Sequence, residues 1–413
     1  MKIAVWHNLP SGGGKRALYD HVRGLVQRGH LLKAWCPSTA DQSYLPLSEL
    51  IPERVIDLVW QPRAEKAFPK RSLTLQHDLL TRVKALDEHC YRCAQEINEE
   101  GFDILFANSS LYQSVSSIGR YTNIPKVIYL QEPLRELHEA SPRLLWMALP
   151  RPASPWSLSY LRSFLKDAVI VQNLRVIARE EFANAKAFDV ILVNSFFSRE
   201  SIRRAYGLDA KVCYLGIDAN KFSIREGPKE QMVVGLGAFV ENKNIELVIE
   251  AMARVSKPRL RLLWIGNSSF PPYLEKLRVL ANSRGVDFES LVGIDDEELV
   301  SLLNKALMMV YGPRLEPFGF APLEGNACGL PVVAVAEGGI RETVIDGING
   351  LLVECDPDAM AGAIKRLIID PQEARRLGKT GRKLVEDNWS CEAAVARLER
   401  RLKQVHDAVN QAL

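Results

Sequence analysis

Short runs of apolar, β-branched residues alternate along most of this chain with longer stretches of 3.6-residue period. That alternation predicts α/β layers with parallel sheets. In the first half the period-2 or wholly apolar runs fall at 3–7, 31–36, 104–107, 126–129, 190–194 and 212–214. Helical periodicity covers 16–27, 73–99, 112–120 and 197–206. The second half repeats the plan, with strands at 232–235, 261–265, 307–311, 332–335 and 351–353. Its helices are expected at 246–255, 273–284, 297–305, 323–328 and 357–369.

A chain of 413 residues exceeds one ordinary core and suits two domains. The boundary is expected in the polar run 219–231, which holds Gly227 and Pro228 and precedes a fresh strand. This reading gives an N-terminal Rossmann-like domain over 1–218 and a C-terminal one over 219–389. Between 134 and 166 the pattern breaks. Pro142, Pro150, Pro152 and Pro155 interrupt a run containing Trp146, Met147, Leu149, Trp156 and Phe164. This segment reads first as an acceptor-side wall. Its second reading, given Arg143, Arg151, Arg162 and Lys166, is a peripheral contact with an anionic membrane.

Charge removes one class of partner. With 53 basic and 50 acidic residues the net charge is only +3, so no nucleic-acid partner is expected. No window approaches the ~18 apolar residues that a membrane-crossing helix needs. The residues from Met1 to Gly14 read as a first strand and a glycine turn, not as a leader. Seven scattered cysteines fit a reducing, cytoplasmic setting better than a disulfide framework. Cys90 and Cys93 form a lone CxxC inside a helical stretch, and no metal is assigned there.

Glycine turns follow the first strand of each half. Gly12, Gly13 and Gly14 precede the first helix, where backbone amides and the helix dipole favour an anion. The Lys15 that follows does not make a P-loop: the spacing is wrong, and Arg16 stands where Ser or Thr should bind magnesium. Gly235 and Gly237 make the second turn.

The most specific run is EPFGFAPLE, residues 316–324, between a strand and a helix stopped by Gly329. A strand–loop–helix crossover brings such a loop to the carboxyl edge of a parallel sheet, where α/β folds bind ligands. Glu316 is then on the loop and Glu324 about one turn into the helix, so their carboxylates can serve two ends of one extended ligand. The amides of Gly319, Phe320 and Ala321 open that helix and are suited to sugar hydroxyls or phosphate.

On these residues the sequence resembles glycosyltransferase family 4, the GT-B-fold retaining enzymes, with two Rossmann-like domains facing across a cleft. The resemblance covers most of the chain. It is carried by DVILVNSFFSRESIRRAYG (189–207), YLGID (214–218), LVGIDDEELVSLLNKA (291–306) and ACGLPVVAVAEGGIRETVIDGINGLLV (327–353). It implies transfer of a sugar from a nucleoside-diphosphate sugar, such as a UDP- or GDP-sugar, to a glycan, lipid-linked or small-molecule hydroxyl. That donor is a substrate; no cofactor and no essential metal are implied. Glu324 should hold the ribose hydroxyls and Glu316 the transferred sugar. Lys243 should neutralise the leaving diphosphate, while Gly12 to Gly14 close over the phosphates and the backbone near Val292 and Ile294 reads the base. The C-terminal helix, about 390–413, should return to the first domain, and the protein is expected in the cytoplasm or at the inner face of the membrane.

Two positions depart from the family pattern. GAFVENK, 237–243, puts Ala238 where the family carries an arginine, and LQEPLRE, 130–136, puts Gln131 where it often carries a histidine. Gln131 can bond a sugar hydroxyl but cannot carry protons. These departures keep open a catalytically silent nucleotide-sugar-binding protein, beside an epimerase on the same scaffold. Lys15 and Arg16 are the basic residues nearest to hand for a second phosphate cation. His7 reads equally as a ligand-edge or a core-edge residue. Asp356-Pro357-Asp358 and Asp295-Asp296 read as helix caps, not metal ligands.

Overall fold

A computed structural model describes residues 1–59, 71–139, 147, 157–255 and 257–412. The chain divides into two compact units. The first comprises residues 1–193, 199–213 and 397–413; the second comprises 194–198 and 214–396. These divisions fall at 213/214 and 396/397, against 218/219 and 389/390 expected from the polar run and the last helix.

The first unit is built on a seven-stranded parallel sheet. Its elements in chain order are β1 (Lys2–Asn8), α1 (Gly13–Gln27), β2 (Leu31–Cys36), β3 (Glu53–Val55), α2 (Arg71–Glu99), β4 (Ile104–Ser110), α3 (Ile118–Tyr121), β5 (Lys126–Tyr129), α4 (Arg135–His138), α5 (Leu158–Lys186), β6 (Val190–Val193), α6 (Phe196–Tyr206) and β7 (Lys211–Val212). The strand order is β3-β2-β1-β4-β5-β6-β7. The central strands are buried on both faces, as crossover helices require. One face packs Ala4, Trp6, Leu105, Ala107 and Ile128 against Leu86, Cys90, Cys93 and Ile97 of α2. On the other face His21 of α1 lies edge-on to Phe106 and tilted to Tyr129.

The second unit carries a six-stranded parallel sheet. Its elements are β8 (Met232–Leu236), α7 (Ile245–Ala253), β9 (Arg261–Gly266), α8 (Pro271–Arg284), β10 (Asp287–Val292), α9 (Asp296–Lys305), β11 (Met308–Tyr311), α10 (Phe320–Ala327), β12 (Val332–Val335), α11 (Ile340–Thr343), β13 (Gly350–Val353), α12 (Pro357–Ile369), α13 (Pro371–Asn388) and α14 (Cys391–Ala412), whose last turns group with the first unit. The order β10-β9-β8-β11-β12-β13 reverses direction between β8 and β11. Ligands of open α/β sheets bind at such a reversal, outside the carboxyl ends of the strands.

Several expectations need correction. No helix covers 112–117; only the single turn α3 forms, after a loop whose Val115 N–H donates to Glu181 and whose Val115 C=O accepts from Asn184, both on α5. The edge strands β3 and β10 are additions, short or half-exposed and therefore without an apolar signature. The proline-broken stretch 134–166 is part helical. Residues 140–146, 148–156 and their Trp146, Leu149, Trp156, Arg143 and Arg151 lie outside the described residues. From Ser157, whose hydroxyl caps Tyr160 N at 3.1 Å, α5 runs 29 residues. Both acidic decoys are caps: Asp295 accepts from Glu298 N, and Asp356 from Asp358 N and Ala359 N.

Candidate active site

The second unit gathers its site at the carboxyl ends of β8 and β11. Past β8 the chain turns through Gly237, at φ 149°, and a 3₁₀ turn, Glu241–Lys243. Trp264 Nε1 donates to Gly237 O at 2.8 Å and anchors that turn. A side chain at 237 would press on the Lys243 chain at 3.3 Å, so glycine here leaves the lysine room. Asn244, in the left-handed region at φ 49°, then starts α7.

Past β11 the chain enters the loop that carries Glu316. Leu315 also adopts a left-handed backbone, φ 51°, a costly conformation for a branched side chain and one concentrated at functional sites. Lys243 Nζ donates to Glu316 Oε2 at 2.8 Å across 73 residues of sequence, and each side chain keeps about a fifth of its surface exposed (19%). Gly319, at φ 99°, caps α10; a Cβ there would lie 2.4 Å from Ile340 Cδ1. Phe320 and Ala321 form the first turn of α10, and the buried Glu324 follows in the next. Tyr311, at the end of β11, is buried beside both glutamates. Burial, then their charges, pushes its phenol far up, so it stays protonated.

Lys243, Glu316 and Gly237 thus come together, with Glu324 close by in α10. Val292 and Ile294 lie at the carboxyl end of edge strand β10; Val292 is exposed, and Gly293 between them donates to Gly266 O. Ala238 is half-buried and brings no charge. Trp264 and Tyr311 were not anticipated: within β9 and β11 they read as ordinary core residues, and no period distinguishes them.

In the first unit Gly12 is the N-cap of α1, at φ 138°, and Gly13 and Gly14 lie in its first turn. Gly14 touches Gln131 closely; a Cβ at 14 would meet Gln131 Nε2 at 2.9 Å. Lys15 does not reach outward. It is wholly buried, its Nζ makes no hydrogen bond, and burial lowers its pKa, against the pull of Glu53, Cys36 and Asp41. Arg16 donates instead to Tyr44 at 2.9 Å. His7 is a buried residue and no ligand-edge group: its Nε2 bonds Glu53 at 3.0 Å, and burial lowers its pKa.

His7, Cys36 and Glu53 place potential metal-ligating atoms within 4.8 Å of one another. Their bonds run among themselves, Cys36 donating to the same Glu53 oxygen that holds His7. Burial and Glu53 push the Cys36 thiol up to about 12, and the Lys15 ammonium stands nearby, so the trio does not suit a cation. Cys90 and Cys93 are buried thiols.

Residues 216–384 match the family described as glycosyl transferases group 1. The matched segment contains Gly237, Lys243, Glu316, Gly319 and Glu324. The chain is 32% identical over 238 residues to a GDP-mannose-dependent alpha-(1-6)-phosphatidylinositol monomannoside mannosyltransferase of Mycolicibacterium smegmatis. The match covers 51% of this chain and about three-fifths (61%) of that relative. Sucrose-phosphate synthase from Thermosynechococcus elongatus superposes with a TM-score of 0.71 at 21% identity, over 98% of this chain and 99% of that one. Anabaena HepE, solved with UDP and glucose, gives 0.68 at 18% identity, over 98% and 99%. These likenesses show the fold, two Rossmann-like domains of the GT-B class. Among the described residues no helix is long and apolar enough to cross a membrane.

Proposed function

We propose that the protein is a retaining glycosyltransferase of family 4 that moves a hexosyl group from a nucleoside-diphosphate sugar to a hydroxyl acceptor. The observation that carries this reading is the Lys243–Glu316 pair at the strand-order reversal of the second sheet, beside the amide-rich start of α10. The mannosyltransferase relative makes GDP-mannose the first donor to test; UDP-glucose is the second.

Departure of the diphosphate builds negative charge on phosphate and positive charge on the sugar carbon. Lys243 answers the first need, with the free N–H groups of Gly319, Phe320 and Ala321. Glu316 answers the second and bonds the sugar hydroxyls. Glu324 accepts both ribose hydroxyls. Gly237 and the backbone at Val292 and Ile294 complete the nucleotide site, and Gly12, Gly13 and Gly14 belong to the phosphate-facing turn of the first unit. Gln131 orients a hydroxyl, and the leaving phosphate takes the acceptor's proton. No metal enters this scheme.

A lipid-linked acceptor at a membrane face agrees with the first turns of α5. Leu158, Leu161, Phe164 and Leu165 are all more than half exposed there, flanked by Arg162 and Lys166.

The test is turnover of GDP-mannose and UDP-glucose with an acceptor panel, with the anomeric configuration of the product read by NMR. Retained configuration supports the proposal. Tight nucleotide binding without transfer would leave a silent binding protein, and inversion would remove the family 4 assignment.

A further inference from the structure

A cavity of about 210 Å³ opens in the first unit between α2, α5 and the loop that follows β4. Two nearly sealed amide side chains line it: Gln113 is 2% exposed and Asn184 1%. Gln113 Nε2 is a buried donor without a hydrogen-bond partner, and Asn184 Oδ1 a buried acceptor without one. The other end of Asn184 is fixed, its Nδ2 donating to Val115 O at 2.8 Å. A buried polar group left unpaired is costly, so the pair marks capacity that something should satisfy.

The charged residues of the cavity point to a neutral ligand. Asp87 is taken by Tyr121 Oη, at 2.9 Å to each carboxylate oxygen. Glu180 is taken by Arg120 and Arg179, each at 2.8 Å. Lys84 is exposed at the rim, where water solvates it. What the interior offers is therefore the Gln113 donor, the Asn184 acceptor and the buried hydroxyl of Ser117, set against the apolar walls of Leu80, Val83 and Val176. A hydroxyl both donates and accepts, and a sugar ring adds apolar C–H faces to its hydroxyls. The space also far exceeds the 10–15 Å³ that admits one water.

We infer that this cavity is a second carbohydrate site, holding one neutral, monosaccharide-sized polyol between Gln113 and Asn184. It shares no residue with Lys243, Glu316 or Glu324, so it stands or falls apart from the transfer reaction.

The probes are methyl α-D-mannopyranoside and methyl α-D-glucopyranoside, titrated into the full-length protein and followed by saturation-transfer NMR. Millimolar binding is expected for at least one. Gln113→Leu removes the donor at nearly constant shape and should weaken that binding about fivefold to tenfold. Val83→Phe narrows the cavity from its apolar wall and should do the same without touching a polar group. Both variants should bind nucleoside diphosphate like the parent, and a thermal melt followed by circular dichroism reports that their first unit is folded. Three results would overturn the inference: no saturation transfer from the parent protein, equal affinity in parent and both variants, or a sugar-soaked crystal showing only water between Gln113 and Asn184.

Discussion

Lys243 and Glu316 are 73 residues apart in sequence, yet their side chains meet at 2.8 Å on adjoining turns of one sheet edge. Each keeps about a fifth of its surface open (19%). The pair is therefore preorganised without being sealed. On the proposed function, an arriving diphosphate shares the ammonium, and Glu316 then turns to the sugar. A cation aimed at charge that grows on bond breaking stabilises the transition state more than the ground state.

Lys243→Ala should therefore act mainly on kcat, lowering it roughly a hundredfold or more at saturating donor. Ala238 supplies no second cation, and Lys15 is buried with its Nζ making no hydrogen bond. Ala238→Arg in the Lys243→Ala background should recover part of the loss. Steady-state kinetics decide it, and a near-normal kcat in Lys243→Ala would displace the phosphate site from this residue.

Glu324 is buried in α10, behind the amides that open the helix. Its replacement by alanine should cost about 1.5–3 kcal/mol of nucleotide affinity by removing charge-assisted bonds to the ribose, with less effect on the bound-state rate. Calorimetry with GDP and UDP measures this directly. Unchanged affinity takes Glu324 out of the ribose role.

Glu181 links the stability of the first unit to pH. Burial pushes its carboxyl up to about 7, against bonds from Tyr206 Oη at 2.8 Å and Val115 N at 3.4 Å. The unfolded chain releases this proton near the ordinary glutamate value, about 4.3, while the folded chain keeps it to about 7. Between those values the folded state binds more protons, so stability falls as pH rises and levels off above 7. Glu181→Gln should flatten that slope. Its stability relative to the parent should rise by a few kcal/mol from about pH 4.5 to 7. Chemical denaturation across that range tests it, and identical slopes would refute the assignment.

The exposed turns of α5 give the fourth expectation. Vesicles containing anionic lipid should float the protein at low salt, and Leu161→Asp together with Phe164→Asp should abolish flotation. Parent protein that stays at the bottom of the gradient leaves these residues as an acceptor-side wall.

Much of this was legible in sequence because parallel strands buried on both faces must be nearly continuous apolar runs. The strands at 126–129 and 332–335 stand out for that reason. EPFGFAPLE likewise announced a loop and helix at a sheet edge, since Gly319 and Pro322 admit few other backbones. Edge strands escaped: three residues at β3 and a half-exposed β10 bury too little to leave a pattern. The helix expected over 112–120 shrinks to one turn because periodicity does not register distant partners: Glu181 and Asn184 of α5 take the backbone of Val115.

Local composition determined the alternation of elements, the glycine turns, the caps and the residues available for chemistry, since each depends on neighbours within a few positions. Tertiary structure alone decided which of those residues meet. Lys15 and Lys243 each follow a glycine turn after the first strand of a sheet, and sequence offers both as phosphate cations. Lys15 is wholly buried near Glu53 and His7, whereas Lys243 is pinned to Glu316 with part of its surface open. The difference arises because one lysine lies within the first helical turn and packs inward. The other precedes its helix on a 3₁₀ turn at the open carboxyl edge of the sheet.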